Sequence, residues 1–352
     1  MKYSKITQRG DTIHLNIDSP YLSNFQFDRD CFITKLKMDE DGVIMDEWLE
    51  LKDQHKRFGL NKLSILNDTI EVQVSGKILG EDYREGITLN TIGTVVDKLN
   101  QSCDMNLSVD DILTKSVMRT FDNTYNIPLD EKDCIGDYIN ALSFGAIGNS
   151  KLGLTQYGNE SIELKLDTKV KNRLIFYNKE AELQKQSKEF YKVYKNDIDF
   201  RDTLRVELNV SSLDKMRQNW GLGRPKPTLG DILNSKVNAI ERNFARFVDK
   251  RTSIKYLFDY DTMLQMEAKT KIENLEIFFL KEKFKFYKGD VKRVLKLYSN
   301  WYKNGRVPAR ESKKIKSYFK IWSNQASKLS PVVKENYTKK FRELDEKIKC
   351  LN

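Results

Sequence analysis

Histidine, cysteine, proline and glycine are all scarce in this chain of 352 residues. It contains two histidines, four cysteines, six prolines and 17 glycines. The two histidines, His14 and His55, are 41 residues apart, which excludes a metal site made of two histidines that flank one hydrophobic residue. The cysteines form no CxxC pair, which argues against a zinc site and a disulfide framework and favours a reducing cytoplasm.

Long apolar runs and nucleotide-binding motifs are also absent from the sequence. No segment approaches the roughly 18 consecutive apolar residues of a membrane helix. Residues 1–8 lack the apolar centre of a signal peptide, so we expect a cytoplasmic protein without a membrane partner. Neither GxxxxGK(S/T) nor GxGxxG occurs, which argues against a nucleotide-binding enzyme. Hydrophobic residues make up 39% of the chain, enough for a sizeable core in about two domains.

Positive charge is concentrated in the C-terminal part of the sequence. Residues 251–352 hold 25 Lys and Arg residues against 12 Asp and Glu, whereas residues 1–250 hold 36 against 39. Such an excess is typical of a polyanion-binding surface, although an amphipathic helix pair with solvated lysines would have the same composition. The candidate DNA contacts are Lys292, Arg293, Lys296, Arg306, Arg310, Lys313, Lys314 and Lys316.

Hydrophobic periodicity divides the chain into two parts. Strands are predicted over 12–17, 32–37, 69–74, 118–127, 161–166, 173–177 and 203–210, and helices over 89–99, 132–142 and 180–195. A segment rich in Gly and Pro follows at 221–228, after which the periodicity is helical almost throughout. We therefore predict an α+β domain with an antiparallel sheet over 1–215 and a basic all-helical domain, for DNA binding or an accessory role, over 216–352.

Alternation along the strands predicts one polar face with reactive groups. Tyr177 and Lys179 share a face of their strand, and Arg205 and Glu207 share the polar face of strand 203–210, while Asp122 lies on strand 118–127. In one sheet these residues would combine a nucleophile, cations for a phosphate and two carboxylates for a divalent ion. Taken singly, however, each of these residues is also what an ordinary half-exposed strand would carry.

The order and spacing of these residues resemble a family signature. Residues 173–183 read RLIFYNKEAEL and residues 204–208 read LRVEL, which resembles the Y-x-K-x-x-E-L … R-x-E-L pattern of phage and plasmid replication initiators. That family is the gene II/X type, related to the initiation factors of rolling-circle plasmids. Residues 117–125 resemble its R-x-D strand, although Thr120 stands at the arginine position and Arg119 lies one residue upstream.

The resemblance, which spans about residues 70–212, implies a metal-dependent enzyme that nicks and rejoins one DNA strand. It implies an antiparallel sheet backed by helices, as in other rolling-circle endonucleases. Tyr177 would attack a phosphodiester and form a 5′-phosphotyrosine intermediate, with Lys179 and Arg205 beside the scissile phosphate. Asp122 and Glu207 would bind Mg²⁺ or Mn²⁺. Origin DNA would be the partner, with a host helicase and a host polymerase as further candidates.

Elementary chemistry is consistent with these implied roles. A phenol with an ordinary pKa of about 10 is a poor nucleophile at neutral pH, so Lys179 or a bound ion would have to ease its deprotonation. Carboxylate ligands suit Mg²⁺ and Mn²⁺. Tyr191 and Tyr194 are candidates for a second tyrosine in termination, with packing as the alternative. His14 would reach the site only if strand 12–17 joins the sheet, and a structural role is the alternative.

Two other functions are compatible with the same sequence. A plasmid mobilisation relaxase would use the same chemistry at a transfer origin. A non-enzymatic DNA-binding regulator would rely on the basic C-terminal residues alone. Only the regulator predicts that no nicked or covalent DNA product forms.

Overall fold

The protein is built around one large antiparallel sheet, as seen in a computed structural model that describes residues 7–18, 25–130, 134–145, 154–166, 171–249 and 331–351. The strands are β1 (Gly10–Asp18), β2 (Phe32–Met38), β3 (Ile44–Leu51), β4 (Leu60–Leu66), β5 (Thr69–Ser75), β6 (Ser116–Pro128), β7 (Leu154–Tyr157), β8 (Ser161–Lys165), β9 (Asn172–Asn178) and β10 (Thr203–Val210). Their order across the sheet is β2-β3-β4-β5-β1-β6-β10-β9-β8-β7. The predicted α+β class and antiparallel sheet are confirmed.

Helices complete the described part of the chain. They are α1 (Ile92–Cys103), α2 (Val109–Lys115), α3 (Ile135–Gly145), α4 (Lys179–Gln186), α5 (Lys188–Tyr194), α6 (Leu213–Trp220), α7 (Leu229–Leu233), α8 (Ala239–Asp249) and α9 (Pro331–Lys349). Short 3-10 segments occupy Arg29–Cys31, Asp53–His55 and Gly76–Glu85. Within the described ranges, no helix has both the length and the apolar character needed to cross a bilayer.

Strand alternation gives the sheet one apolar face, which carries the core. In β10 the side chains of Leu204, Val206, Leu208 and Val210 are all buried in this core. Helices pack on this apolar face of the sheet. Their apolar side chains form one continuous cluster with those of the strands. The opposite face of β10 therefore presents its polar residues to the other side of the sheet.

The core continues across residues 215 and 216, where the sequence predicts a domain boundary. Trp220 of α6 packs edge-on against Phe121 of β6, with ring centroids 5.4 Å apart. Phe244 of α8 packs against Phe176 of β9 at 5.9 Å and against Phe341 of α9 at 6.0 Å. Helices on both sides of the predicted boundary thus share the core of the sheet. Residues 250–330, with all eight candidate DNA contacts, lie outside the described residues.

A smaller apolar cluster lies on the polar face, above one end of β9 and β10. It consists of Tyr83, Leu183, Phe190, Ile198 and Phe200. These residues come from the 3-10 segment Gly76–Glu85, from α4 and α5, and from the loop before β10. The helix predicted over 180–195 is two helices, because the backbone at Ser187 leaves the helical region with φ −136° and ψ 45°. The cluster closes one end of the polar face.

Candidate active site

Three adjacent strands bring the predicted site residues together. Tyr177 of β9 lies opposite Arg205 of β10, and Asp122 of β6 lies opposite Asn209 of β10. Glu207 lies between those two pairs along β10, on the same face. Lys179 is not part of the strand as predicted but the first residue of α4, because Asn178 caps this helix by accepting a hydrogen bond from the Ala181 amide. All five predicted residues therefore border one region of the polar face.

The hydroxyl of Tyr177 donates a hydrogen bond to Oε2 of Glu207 at 3.0 Å. Burial, followed by the charge of Glu207, raises the pKa of the Tyr177 phenol well above its ordinary value. Burial and the charge of Asp11 also raise the pKa of Glu207. A carboxylate with a raised pKa is a better proton acceptor than an ordinary one, so Glu207 is positioned to take the phenol proton.

Asp122 is a second carboxylate in the same region. Its Oδ1 accepts a hydrogen bond from the side-chain amide of Asn209. Burial, followed by the negative charges of Glu207 and Asp11, raises the pKa of Asp122 well above its ordinary value. The acidic residues of this site therefore repel one another in a partly desolvated environment.

Asp11 is a third carboxylate of the site, one that strand alternation does not predict, and it pairs with a cation. Arg205 donates from Nη1 to Oδ1 of Asp11 at 2.9 Å. Burial alone would raise the pKa of Asp11, but the charges of Lys179, Arg205 and Lys77 lower it to about 2. Asp11 is therefore a fully ionised partner for the cations of the site at neutral pH.

A β-bulge explains why the strand pattern did not reveal Asp11. Gly10 of β1 pairs with Asn123 and Thr12 pairs with Asp122, so Asp11 is an extra residue in β1. Simple alternation would put Asp11 on the face opposite Thr12, whereas the bulge redirects its side chain to Arg205. Bulges are common next to functional sites, but nothing local in the sequence marks this one.

Both predicted cations lie at the site, and both are held by protein partners. Lys179 Nζ donates to Glu182 at 2.6 Å and lies 5.4 Å from the ring centroid of Tyr177. Arg205 also donates through Nε to Asn126 at 2.8 Å and through Nη1 to Tyr83 at 3.2 Å. The exposed fraction of the side chain is 2% for each cation.

Lys77 adds a third cation near the same residues. Its Nζ donates to Ser187 Oγ at 2.6 Å, which ties the 3-10 segment Gly76–Glu85 to the junction of α4 and α5. Burial lowers the pKa of Lys77, and the neighbouring cation Lys179 lowers it further. The pKa of Lys179 is lowered by burial and by Arg205. Of these cations Arg205 favours the ionised form of Tyr177, although burial and the charge of Glu207 outweigh it.

A second bulge lies in β6, within the strand predicted over 118–127. His14 pairs with Thr120 and Leu15 pairs with Met118, so Arg119 is an extra residue in β6. With the Asn16 amide oxygen turned towards it, Arg119 donates to this oxygen from Nε at 3.2 Å and from Nη2 at 3.0 Å. Arg119 thus has a partner on β1.

The remaining candidates have other partners. β1 does join the sheet, but His14 Nε2 lies 2.7 Å from Glu71 Oε1 and therefore takes part in a different polar pair. The Tyr191 hydroxyl donates to Glu180 at 3.0 Å. Tyr194 packs against Phe190 in a tilted arrangement, with ring centroids 4.8 Å apart, beside the smaller apolar cluster. The structure thus gives each of these three residues a packing or hydrogen-bonding role.

The chemistry of the donor set fits a divalent cation. Asp122 and Glu207 offer carboxylate oxygens as ligands. Their negative charges repel each other, and a bound cation would offset this repulsion. In the described residues, no group of three His, Cys, Asp or Glu side chains is arranged to hold a metal. Mg²⁺ commonly binds one or two carboxylates and completes its shell with water and phosphate oxygens, so two protein ligands suffice.

Comparisons with known proteins give no relative for this chain. No protein-family model matches it, and neither a curated protein nor a solved structure matches it significantly. Any functional conclusion therefore rests on the residues of the site and on the sequence signature.

Proposed function

We propose that this protein is a rolling-circle replication initiator that nicks one DNA strand through Tyr177 and rejoins the ends. The observation that carries the proposal is the hydrogen bond from the Tyr177 hydroxyl to Glu207, in a site that also holds Asp122, Lys179 and Arg205. The spacing of these residues in the sequence resembles that of replication initiators. The antiparallel sheet with helices on its apolar face is compatible with the fold that the resemblance implies.

The proposed step is a transesterification at phosphorus. The Tyr177 oxygen attacks the phosphodiester, the phenol proton passes to Glu207 Oε2, and the bond from phosphorus to the 3′ oxygen breaks. The leaving 3′ oxygen takes a proton from water, and the 5′ phosphate stays on the tyrosine. Lys179, 5.4 Å from the Tyr177 ring centroid, stabilises the developing phenolate. Reversal of the step rejoins the strand without a nucleotide cofactor.

Asp122 and Glu207 are the residues that would hold Mg²⁺ or Mn²⁺. When bound, such an ion offsets negative charge on the phosphate oxygens. A carboxylate has two oxygens, so Glu207 can accept the tyrosine proton through Oε2 and offer Oε1 to the ion.

The decisive experiment is a search for a covalent adduct. The full chain is incubated with Mn²⁺ and a pool of random-sequence single-stranded DNA, and DNA that stays on the denatured protein is sequenced. Mass spectrometry of the adduct then identifies the modified residue. We expect a 5′-phosphotyrosine at Tyr177 and an enriched cleavage sequence.

Other outcomes separate the alternatives. DNA binding without adduct would contradict the nicking function and favour a DNA-binding regulator. An adduct at another tyrosine would contradict the assignment of Tyr177. Replication of a plasmid that carries the enriched sequence, compared with its conjugal transfer, distinguishes an initiator from a mobilisation relaxase.

A further inference from the structure

The two cations that the sequence predicts for the site are engaged with protein carboxylates, and the third, Lys77, donates to Ser187. Lys179 is paired with Glu182 and Arg205 with Asp11, and both side chains are almost completely buried. A phosphate could reach either cation only by displacing a charged partner, which would leave a buried carboxylate unpaired. A substrate that enters the site needs a donor that is closer to solvent.

Arg173 of β9 meets this requirement. Its side chain is 31% exposed, and its Nη2 donates to Asn209 Oδ1 at 3.1 Å. The contact from Nη1 to Glu163 is 3.5 Å long, at the limit for a hydrogen bond. Its Nε is buried and, among the described residues, has no hydrogen-bond partner. Buried donors are almost always satisfied, so Arg173 retains an unused donor. Arg9 and Arg217 share this feature, and what distinguishes Arg173 is its place beside Asn209 on the polar face.

The position of Arg173 suits the proposed reaction. Arg173 lies opposite Asn209, and the next residue on the polar face of β10 is Glu207, which accepts the Tyr177 hydroxyl. Through Asn209 the guanidinium is also linked to Asp122. A phosphate bonded to Arg173 would therefore lie on the same face as both carboxylates and the nucleophile, one face position along β10 from Glu207.

We propose that Arg173 binds the non-bridging oxygens of the phosphodiester that Tyr177 attacks, an inference that rests on the proposed function. A guanidinium can donate to two phosphate oxygens at once, and its charge offsets the repulsion between phosphate and Asp122 or Glu207. The ion pair that Arg173 makes with Glu163 is long, at 3.5 Å, so a phosphate competes with a weaker partner here than at Lys179 or Arg205. The contact recognises the nucleic-acid backbone and not the base.

Arg217 supplies a matched control. Its Nε is also buried without a hydrogen-bond partner in the described structure. It lies on α6, whose Trp220 packs against Phe121 in the apolar core, on the other side of the sheet. Arg173→Gln and Arg217→Gln thus remove the same charge from opposite sides of the sheet.

The test uses the full chain with Tyr177→Phe, so that bound DNA remains intact, in the presence of Mg²⁺. The Nε–H resonances of the arginines are followed by NMR while single-stranded oligothymidine is added. The Arg173 resonance is identified as the one missing from the spectrum of Arg173→Gln. We expect this signal to shift with the phosphodiester strand and not with an uncharged methylphosphonate strand. Affinity should fall about tenfold in Arg173→Gln, as for the loss of a charged hydrogen bond, and remain unchanged in Arg217→Gln.

A static Arg173 signal, or equal losses of affinity in both variants, would overturn the inference. An Arg173 shift together with the absence of any adduct in the wild-type protein would retain the phosphate site and reject the nicking function. If the wild-type protein forms the adduct and Arg173→Gln does so with an unchanged KM, the nicking function stands and the Arg173 inference fails. If Arg173→Gln forms the adduct with a raised KM and a largely unchanged kcat, both the nicking function and the role of Arg173 are supported.

Discussion

Oδ1 of Asp11 accepts a hydrogen bond from Nη1 of Arg205 at 2.9 Å, although 194 residues separate them in the sequence. The pair connects β1 with β10, which are not neighbours in the sheet because β6 lies between them. The same guanidinium bonds Asn126 of β6 and Tyr83 of the 3-10 segment. Arg205 therefore holds β1, β6 and the 3-10 segment together beneath the proposed site. It could contact a substrate only if some of these hydrogen bonds were broken.

The first prediction concerns the nucleophile. Tyr177→Phe should abolish the covalent adduct and leave DNA affinity nearly unchanged, because it removes one oxygen and little surface. The lost hydrogen bond to Glu207 should change the free energy of unfolding by about 1 kcal/mol or less. Tyr191→Phe is the control, since the Tyr191 hydroxyl also donates to a glutamate at 3.0 Å. Adduct formation by Tyr177→Phe at the wild-type rate would exclude Tyr177.

The second prediction concerns the carboxylate pair. Asp122→Asn removes a charge that is repelled by Glu207, so the free energy of unfolding at neutral pH should rise by about 1 kcal/mol while nicking is lost. Mg²⁺ should raise the melting temperature of the wild-type protein and have much less effect on Asp122→Asn. Calorimetry with and without Mg²⁺ measures both effects. Equal Mg²⁺ shifts in the two proteins would show that Asp122 is not a ligand.

The third prediction is a pH dependence of the reaction. Because burial and Asp11 raise the pKa of Glu207, protonated Glu207 persists above the ordinary glutamate range. Protonated Glu207 can neither accept the phenol proton nor bind the cation, so the single-turnover rate should rise with pH, with an inflection that moves to lower pH as the Mg²⁺ concentration is raised. In Glu207→Gln the slower residual rate should lack this inflection. An identical pH profile in both proteins would contradict the assignment of Glu207 as the proton acceptor.

The fourth prediction concerns the acid stability conferred by Asp11. Its pKa is lowered to about 2 in the folded state, from 3.8. Its stabilising contribution is complete above pH 3.8 and is lost as the pH falls towards 2, and it amounts to about 2 kcal/mol. Asp11→Asn should remove this part of the pH dependence from urea unfolding and also destabilise the protein at neutral pH, since Arg205 remains buried. An unchanged stability profile would show that the ion pair contributes nothing.

The fifth prediction concerns the basic segment. Removal of everything after residue 213 would delete α6, α8 and α9, which supply core residues, so charge substitution is the better test. Replacement of the eight candidate DNA contacts by Gln should weaken duplex binding. If six of them contact phosphates, the slope of log K against log salt should decrease in magnitude by about 5. An unchanged slope would assign DNA binding to the sheet and its loops.

Local pattern was sufficient to predict several elements but not others. The strand predicted over 203–210 coincides with β10, because its alternation is strict and its apolar residues are β-branched or leucine. The strands β3 and β4 were not predicted, since IMDEWLEL and LNKLSIL do not alternate strictly. The predicted single helix over 180–195 is interrupted at Ser187. Leu183 before the break and Phe190 after it both pack in the smaller apolar cluster.

The sequence by itself determined which residues share the polar side of the strands without a bulge, such as β9 and β10, because side-chain direction alternates there with a period of two. It therefore determined the candidates Tyr177, Arg205 and Glu207 before any tertiary contact was known. Only the tertiary structure decided that Asp11 joins them, since a bulge arises from the pairing of β1 with β6, which lies about a hundred residues away. The tertiary structure also decided which cations are accessible, because burial depends on what segments distant in the sequence, such as Gly76–Glu85, place above the sheet.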